Sequence, residues 1–183
     1  MAASFPVPSD PVGSAVIPPD ESAFRRAVGH FASGVTVVTT RVGNIDHAMT
    51  ASAFTSVSLD PLRVLVCVER EARFRDAVLE SGFWAVSILS VEGRRAADWF
   101  ATKGRPLVGQ LDRHPHRRGV TGAALLDSSL AWIECHTAAV YDGGDHDIVL
   151  GEVVAVAERD RDGEPLVYHR SRYARTTSGP AAS

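Results

Sequence analysis

The stretch from Met49 to Ser58, MTASAFTSVS in one-letter code, is the segment around which this 183-residue chain is organised. Five of its ten residues carry hydroxyl groups, and small or apolar side chains separate them. Small side chains let a flat ligand approach the backbone, whose N–H and C=O groups bind the ligand's edge while hydroxyls satisfy its polar atoms. An ordinary edge strand with hydroxyls facing water fits the same residues, so the stretch alone leaves both interpretations open.

The segments on both sides of this stretch predict an antiparallel β structure. Turn residues at Gly43-Asn44 and in the segment 142–147 separate pairs of strand-like segments, a pattern typical of hairpins. Strands are predicted for residues 35–41, from 47 through the opening stretch, 64–69, 83–89, 130–141, 148–159 and 166–173, and helices for 73–81 and 91–101. The expected fold class is mainly β, an antiparallel barrel with a few surface helices.

A further helix is predicted near the start of the chain. Asp20 is a suitable N-cap and Ser33-Gly34 a suitable stop. Between them, apolar residues recur at the i, i+3, i+4 and i+7 spacing, namely Phe24, Ala27, Val28 and Phe31. We expect this apolar face to dock on the core.

Length and composition predict one globular domain over residues 20–176, between a Pro-rich flexible arm at 1–19 and a flexible tail at 177–183. Nineteen Lys and Arg residues against 22 Asp and Glu residues give a net charge of −3. This balance argues against partnership with nucleic acid or an anionic membrane. No apolar run is long enough to cross a bilayer.

The two cysteines, Cys67 and Cys135, each lie inside an apolar strand-like run without metal-type spacing. They predict two buried thiols in a reducing compartment, and we expect no metal site. Residues 1–20 lack the charged and apolar regions of a secretory signal. The expected location is therefore cytoplasmic.

His146 lies in the turn segment Asp142 to Asp147, directly after two glycines and an aspartate. A histidine on such a tip is suited to contact a transferring group near neutral pH. A solvated turn fits the same residues, as does a metal ligand, although three consecutive turn residues point in different directions. The residues alone leave these interpretations open.

Other parts of the chain carry residues that are suited to chemistry. The polar loop 102–122 is long for a compact domain, which is typical of a functional loop or a lid, and its basic run 114–118 is predicted to be solvated. The segment 168–173 pairs cations with aromatic residues and fits either a dinucleotide site or a basic edge strand. Nucleophilic catalysis has little support, because Ser52 lacks a Gly-x-Ser-x-Gly elbow and Cys67 is expected to be buried.

Taken in order, these segments resemble the short-chain flavin reductase family, the FMN-binding split-barrel reductases of two-component flavin monooxygenases. The matching segments lie between Phe24 and Tyr173 and share their order with the family. They are 24–27, 32–40, 49–61, 64–68, 130–135, 144–148 with 151–153, and 165–170.

The resemblance implies a homodimer of antiparallel split barrels that transfers hydride from NADH or NADPH to FMN, FAD or riboflavin, and supplies reduced flavin to a partner monooxygenase. It implies that His146 lies beside the nicotinamide as the catalytic residue. It places two sets of residues along the flavin and its phosphate: Thr50, Ala51, Ser52, Ala53, Phe54, Ser56, Val57 and Ser58; and Cys67, Val68, Glu69, Arg70, Ala72, Arg73, Phe100 and Lys103. It assigns the pyridine nucleotide to Tyr168, His169, Arg170, Ser171 and Tyr173. Such chemistry requires the nicotinamide to stack on the flavin and needs no catalytic triad.

The sequence departs from the family pattern at two places. Residues 71–75 lack the Ser/Thr turn that often holds the flavin phosphate, and we expect N–H groups near Ala72 and Arg73 with an arginine head to replace it. Ser171 stands where a glycine is usual. Two rival functions stay open: a split-barrel enzyme that retains its flavin and acts on an organic substrate, and a non-catalytic flavin-binding module.

Overall fold

The computed structural model describes residues 20–160 and 163–176. The predicted arm at 1–19 and tail at 177–183 lie outside the described residues. Along the chain the helices are α1 (Glu21–Val28), α2 (Arg73–Ser81) and α3 (Arg94–Ala101). The strands are β1 (Ser33–Gly34), β2 (Thr36–Val42), β3 (Ile45–Ala51), β4 (Phe54–Leu59), β5 (Leu62–Glu69), β6 (Phe83–Leu89), β7 (His116–Arg118), β8 (Ala124–Leu126), β9 (Ser129–Asp142), β10 (His146–Glu158), β11 (Val167–His169) and β12 (Arg172–Ala174).

Seven strands form one antiparallel sheet in the order β3-β2-β6-β9-β10-β5-β4. Its two edge strands, β3 and β4, are joined by only Ser52 and Ala53. Because the three Cα steps across this link reach at most roughly 11 Å, the sheet must roll until its edges lie side by side. The rolled sheet is a barrel that is split between β3 and β4, and the predicted fold class is confirmed. The opening stretch is therefore a corner between two edges, and its expected continuous strand is wrong.

Strand β2 has a core on each of its faces. Val38 packs inside the barrel in a cluster that includes Trp84, whereas Val37 packs outside in a cluster that includes Ala97 and Phe100 of α3. Neighbouring residues of a strand point to opposite faces, so β2 contributes to both clusters. This double packing fixes α3 against the barrel wall beside the corner.

Helix α2 has the predicted bounds. It buries Phe74, Ala77 and Val78 and ends at Gly82, which has a φ of 71°. Helix α3 begins later than predicted, because residues 91–93 form a 3₁₀ turn before it. Among the described residues, no helix is long and apolar enough to span a bilayer.

Helix α1 differs from the prediction in its end and its packing. Asp20 caps it as expected, since its carboxylate accepts a 2.7 Å hydrogen bond from the Ala23 N–H. The helix ends at Val28 rather than near Ser33-Gly34, and the described part of the chain leaves Phe24 and Phe31 66% and 78% exposed. The expected docking on the core is wrong, because none of the eight residues of α1 is buried.

The last predicted strand is a hairpin. Strands β11 and β12 pair with each other around Arg170 and Ser171, and β11 also pairs with β1. Arg170 and Ser171 have φ values of 49° and 60°, a region that residues other than glycine rarely adopt. This turn, which sequence periodicity did not predict, divides the segment 166–173.

The polar loop 102–122 is anchored to the barrel. Arg105 donates to the Ala48 carbonyl and Gln110 to the Asp46 carbonyl, so their side chains satisfy acceptors on the free edge of β3. The predicted solvation holds for the two arginines of the basic run, which are exposed, although both also make contacts: the Arg117 guanidinium lies 3.9 Å from the centre of the Trp132 ring, and Arg118 pairs with Asp46. These contacts favour a fixed wall over a lid.

Candidate functional site

A cleft of about 670 Å³ opens at the corner between β3 and β4. Its walls come from the corner, the end of β5, the first turn of α2, the segment from the end of α3 to residue 105, and the tip of the β9–β10 hairpin. This volume is within the range of small-molecule and cofactor sites. Five separate segments of the chain therefore contribute to one site.

Eleven of the residues assigned from the sequence line this cleft. They are Thr50, Ala51, Ser52, Ala53, Cys67, Glu69, Ala72, Arg73, Phe100, Lys103 and His146. Residues that the sequence interpretation did not assign line it as well: Met49, Glu71, Phe74, Ala101, Thr102, Gly104 and Arg105. Arg105 and its neighbours were missed because they belong to the irregular loop, whose path no periodicity predicts.

The other assigned residues lie outside the lining of the cleft. Phe54, Ser56, Val57 and Ser58 are on edge strand β4, Val68 is buried in the barrel core, and the Arg70 guanidinium pairs with Asp142 and Asp147. Tyr168, His169, Arg170, Ser171 and Tyr173 are on or between β11 and β12, where the two tyrosine rings meet edge to face at 5.5 Å. The structure therefore separates this hairpin from the corner.

The corner brings backbone close to the cleft with little side-chain bulk. The Ala53 carbonyl accepts a 3.0 Å hydrogen bond from the Cys67 N–H, which joins the corner to β5. The Thr50 hydroxyl donates to the Ala97 carbonyl at 2.7 Å, which joins β3 to α3. The small side chains of residues 51–53 then leave room for a flat ring against a firmly held backbone.

Helix α2 directs its amino end at the cleft. Its N-cap, Ala72, has no side chain that can accept from the first-turn N–H groups. Arg73 and Lys103 lie beside these N–H groups in the lining, where Arg73 donates to the Arg105 carbonyl at 2.7 Å and Lys103 to the Glu69 carboxylate at 2.8 Å. Burial, followed by the charge of Arg73, lowers the pKa of Arg105. Uncapped amides and several cations make this end of the cleft suitable for an anion.

His146 reaches the cleft from the tip of the β9–β10 hairpin. Gly144 turns the chain with a φ of 88°, and the Gly143 N–H donates to the His146 carbonyl at 2.9 Å. The Nδ1 atom of His146 is 2.7 Å from the Asp145 carboxylate, and this hydrogen bond lowers the pKa of Asp145. In the β10–β5 ladder, the backbone of His146 lies opposite that of Glu69. The imidazole is therefore oriented at the rim by both backbone and side-chain contacts.

The described residues offer neither a reactive thiol nor a metal site. Burial raises the pKa of the Cys67 thiol, and burial together with Glu134 raises that of Cys135 to about 12. Thiols with raised pKa values are poor nucleophiles near neutral pH. Within residues 20–160 and 163–176, no three His, Cys, Asp or Glu side chains are grouped as a metal ion would require.

Comparison with known proteins identifies the family of the chain. Residues 28–177 match the family described as flavin reductase like domain. The NADH-dependent FMN reductase AsuE2 of Streptomyces nodosus subsp. asukaensis is 37% identical over 156 residues, which are 85% of this chain and 84% of that protein.

Two solved structures share the fold at similar identity. BorF, the flavin reductase component of a bacterial two-component tryptophan halogenase, has a TM-score of 0.81 and 41% identity, covering 87% of this chain and all of BorF. The Streptomyces globisporus C-1027 NADH:FAD oxidoreductase SgcE6, solved with NAD and FAD fragments, has a TM-score of 0.84 and 36% identity, covering 93% of this chain and all of SgcE6. The resemblance read from the sequence is confirmed, and the chain belongs to the flavin reductase-like family.

Proposed function

We propose that this protein is an NAD(P)H-dependent flavin reductase that reduces FMN or FAD and supplies the reduced flavin to a separate monooxygenase. The observation that carries the proposal is the single cleft in which the corner, the amino end of α2 and His146 meet. The names of its relatives agree, since they are reductases of FMN or FAD that use NADH. Reductase components of monooxygenases are also among them.

The residues of the cleft fit a phosphorylated flavin. The ring system would lie against the backbone of residues 51–53, and the phosphate would lie at the N–H groups of α2 beside Arg73 and Lys103. When bound, the flavin supplies the redox chemistry as a hydride acceptor. The chain's own residues would hold the flavin and the nicotinamide within one cleft and exclude water, with His146 placed at the rim to contact the nicotinamide.

Anaerobic stopped-flow mixing of the protein and flavin with NADH or NADPH tests this function. Rapid loss of the oxidised flavin's visible absorbance over many turnovers of free flavin is expected, and the rates rank FMN against FAD and NADH against NADPH. Flavin binding without bleaching would contradict the proposal and favour a non-catalytic module. Bleaching of a flavin that is not released would instead favour an enzyme that retains its flavin.

Replacement of Arg73 by alanine tests the phosphate end of the cleft. We expect the KM for FMN to rise about 10-fold, which corresponds to roughly 1.4 kcal/mol, and the KM for riboflavin to stay nearly unchanged, because riboflavin has no phosphate to pair with Arg73. Steady-state kinetics with both flavins measures the difference. Arg113→Ala, at an exposed arginine outside the cleft lining, is the matched control. An equal change for the two flavins would argue against phosphate binding at Arg73.

The protein is further proposed to be a homodimer that uses the apolar face of α1 together with Phe31, three residues beyond the end of the helix. Phe24, Val28 and Phe31 are more than half exposed, and such a face is suited to bury apolar surface against a second chain. Sedimentation is expected to give twice the chain mass for the wild type. The double variant Phe24→Asp and Phe31→Asp should sediment as a monomer, because charge would be buried in the interface. Val108→Asp, at an exposed loop valine, should remain dimeric; a monomeric wild type would overturn the proposal.

A cytoplasmic location is proposed from the two cysteines. Cys67 and Cys135 are both free thiols, and the barrel holds Cys135 in its core. Free thiols of this kind persist where the surroundings are reducing. Fractionation of the producing cells would test the location.

A further inference from the structure

Asp147 is a buried acidic residue directly after His146 on β10. Its side chain is only 5% exposed, yet it accepts hydrogen bonds from two arginines. Arg70 Nε lies 2.9 Å from Oδ1, and Arg75 Nε lies 2.7 Å from Oδ2. A buried carboxylate is costly unless it is paired and hydrogen-bonded. The hydrogen bond from Arg75 is the largest cause of the lowered pKa of Asp147.

Arg70, Arg75 and Asp147 together connect two parts of the cleft that are distant in sequence. Arg75 is in the first turn of α2, whose amino end forms the anion side of the cleft. Arg70 follows β5 and reaches under the hairpin tip: its guanidinium also pairs with Asp142 at 3.1 Å, and its backbone N–H donates to the Asp145 carbonyl at 3.0 Å. Asp147 therefore connects the helix to the loop that carries His146.

Side chains of neighbouring strand residues point to opposite faces, so His146 and Asp147 project in opposite directions from β10. His146 faces the cleft, while Asp147 faces the arginines. Two of the three arginines near the start of α2 are thus committed to the protein itself, and Arg73 alone of these lines the cleft. Arg75 consequently serves the fold of the site rather than a ligand.

We propose that Asp147, through Arg70 and Arg75, is a positioning residue that holds the His146 tip in register with the amino end of α2. The inference rests on the proposed reductase function. Without the ion pairs of Asp147, the Gly143-Gly144 turn would let the tip shift. The nicotinamide would then lose its alignment with the flavin. A displacement of about 1 Å from a productive geometry can cost up to roughly 10²-fold in rate.

The test uses Asp147→Asn, which keeps the shape of the side chain and removes its charge. We expect the limiting rate of nicotinamide-dependent reduction to fall about 10-fold and flavin affinity to stay within about twofold, because the variant leaves the lining of the cleft intact. Arg159→Gln, which breaks the remote Arg159–Glu92 ion pair of 3.1 Å, is the matched control and should keep the wild-type rate. A wild-type rate in Asp147→Asn would overturn the inference.

Arg75→Gln is a milder variant that leaves Asp147 paired with Arg70. A smaller fall in the same rate is expected, and the double variant should fall less than the product of the two single effects, because both act through one link. Independent effects that multiply would overturn the proposed coupling. If Asp147→Asn fails to fold, the reduction rate of Arg75→Gln alone tests the inference. An unchanged reduction rate in that variant would contradict the link between Asp147 and α2. An inactive wild type, by contrast, would contradict the reductase function itself.

The pH dependence of stability provides a second readout. The groups that face Asp147 are Arg70 and Arg75, with Asp142 sharing Arg70 and Asp76 sharing Arg75 at 3.2 Å, and the pKa of Asp147 is lowered. A carboxyl whose folded pKa is below its unfolded pKa stabilises the protein fully above the unfolded pKa, and this contribution is lost as the pH falls through the folded pKa. The Tm of Asp147→Asn should therefore be lower than that of the wild type at neutral pH, and the difference should shrink on acidification. A difference independent of pH would point to packing instead of charge.

Discussion

Replacement of His146 by alanine is expected to slow nicotinamide-dependent flavin reduction by about 10- to 100-fold while leaving flavin affinity within about twofold. His146 lies at the rim of the cleft and is oriented by a 2.7 Å contact between Nδ1 and the Asp145 carboxylate. In the role proposed for it, the ring orients the second substrate at the site of transfer, and the variant removes this surface. The effect is therefore expected in the reduction step rather than in the binding of the first ligand.

Flavin affinity should survive because the contacts proposed for the flavin lie elsewhere in the cleft. The corner backbone at residues 51–53 and the amino end of α2 form the opposite part of the same cleft. Neither depends on the imidazole for its position, since Cys67 holds Ala53 through a backbone hydrogen bond. Under the proposed assignment, the variant removes contacts with the nicotinamide and keeps those with the flavin, so the reduction rate and the flavin affinity should change independently.

Stopped-flow bleaching gives the reduction rate of this variant, and fluorescence titration gives its flavin affinity. His136→Ala provides the control, because His136 is exposed on β9 and does not line the cleft. Equal losses of flavin binding and of reduction would contradict the role assigned to His146. An unchanged reduction rate would remove the histidine from the reaction altogether.

Gly151→Ala is expected to destabilise the barrel by about 1–3 kcal/mol, the usual range for overpacking a core. A Cβ atom at Gly151 would lie 2.4 Å from Cζ2 of Trp84 and 2.8 Å from Cβ of Cys135. Both neighbours are fully buried, so neither can move away without disturbing the cluster inside the barrel. Gly151 also lies at a register shift between β10 and β9, where the ladder must accommodate a bend.

Thermal unfolding monitored by circular dichroism measures this effect. For a chain of this size, each kcal/mol corresponds to about 2–4 °C in Tm, so a fall of roughly 2–12 °C is expected. Gly34→Ala is the control, since a Cβ atom at Gly34 would meet no atom within 4 Å. A Tm unchanged by Gly151→Ala would mean that Trp84 has room to move and that the core around Gly151 is not tightly packed.

Elements governed by neighbouring residues were predicted well from the sequence. The bounds of α2 follow from its apolar spacing and from Gly82 behind it, and β6 follows from a continuous apolar run. The turn at Gly43 joins β2 to β3 as predicted. In each case the signal and the structure lie within about ten residues, where local backbone preferences and burial agree.

Predictions failed where the deciding contact is distant in sequence. The apolar spacing of α1 does not reveal that the barrel offers no site for Phe24, and the strand preference of the segment 166–173 does not reveal the turn at Arg170 and Ser171. The contacts of the exposed Arg118 and Arg117 with Asp46 and Trp132 were not predicted either, because these partners are distant in sequence. A single sequence carries no direct signal for such pairs.

The sequence by itself determined the family, the mainly β class and the residue types of the site, because these depend on motifs and periodicity that a chain carries locally. Only the tertiary structure decided that Ser52 and Ala53 join opposite edges of one sheet and that Arg105 enters the cleft. It also decided that Arg75 serves Asp147. The physical reason is that barrel closure brings residues from five separate segments to one seam, and their contacts are set by the rolled sheet rather than by the order of residues along the chain.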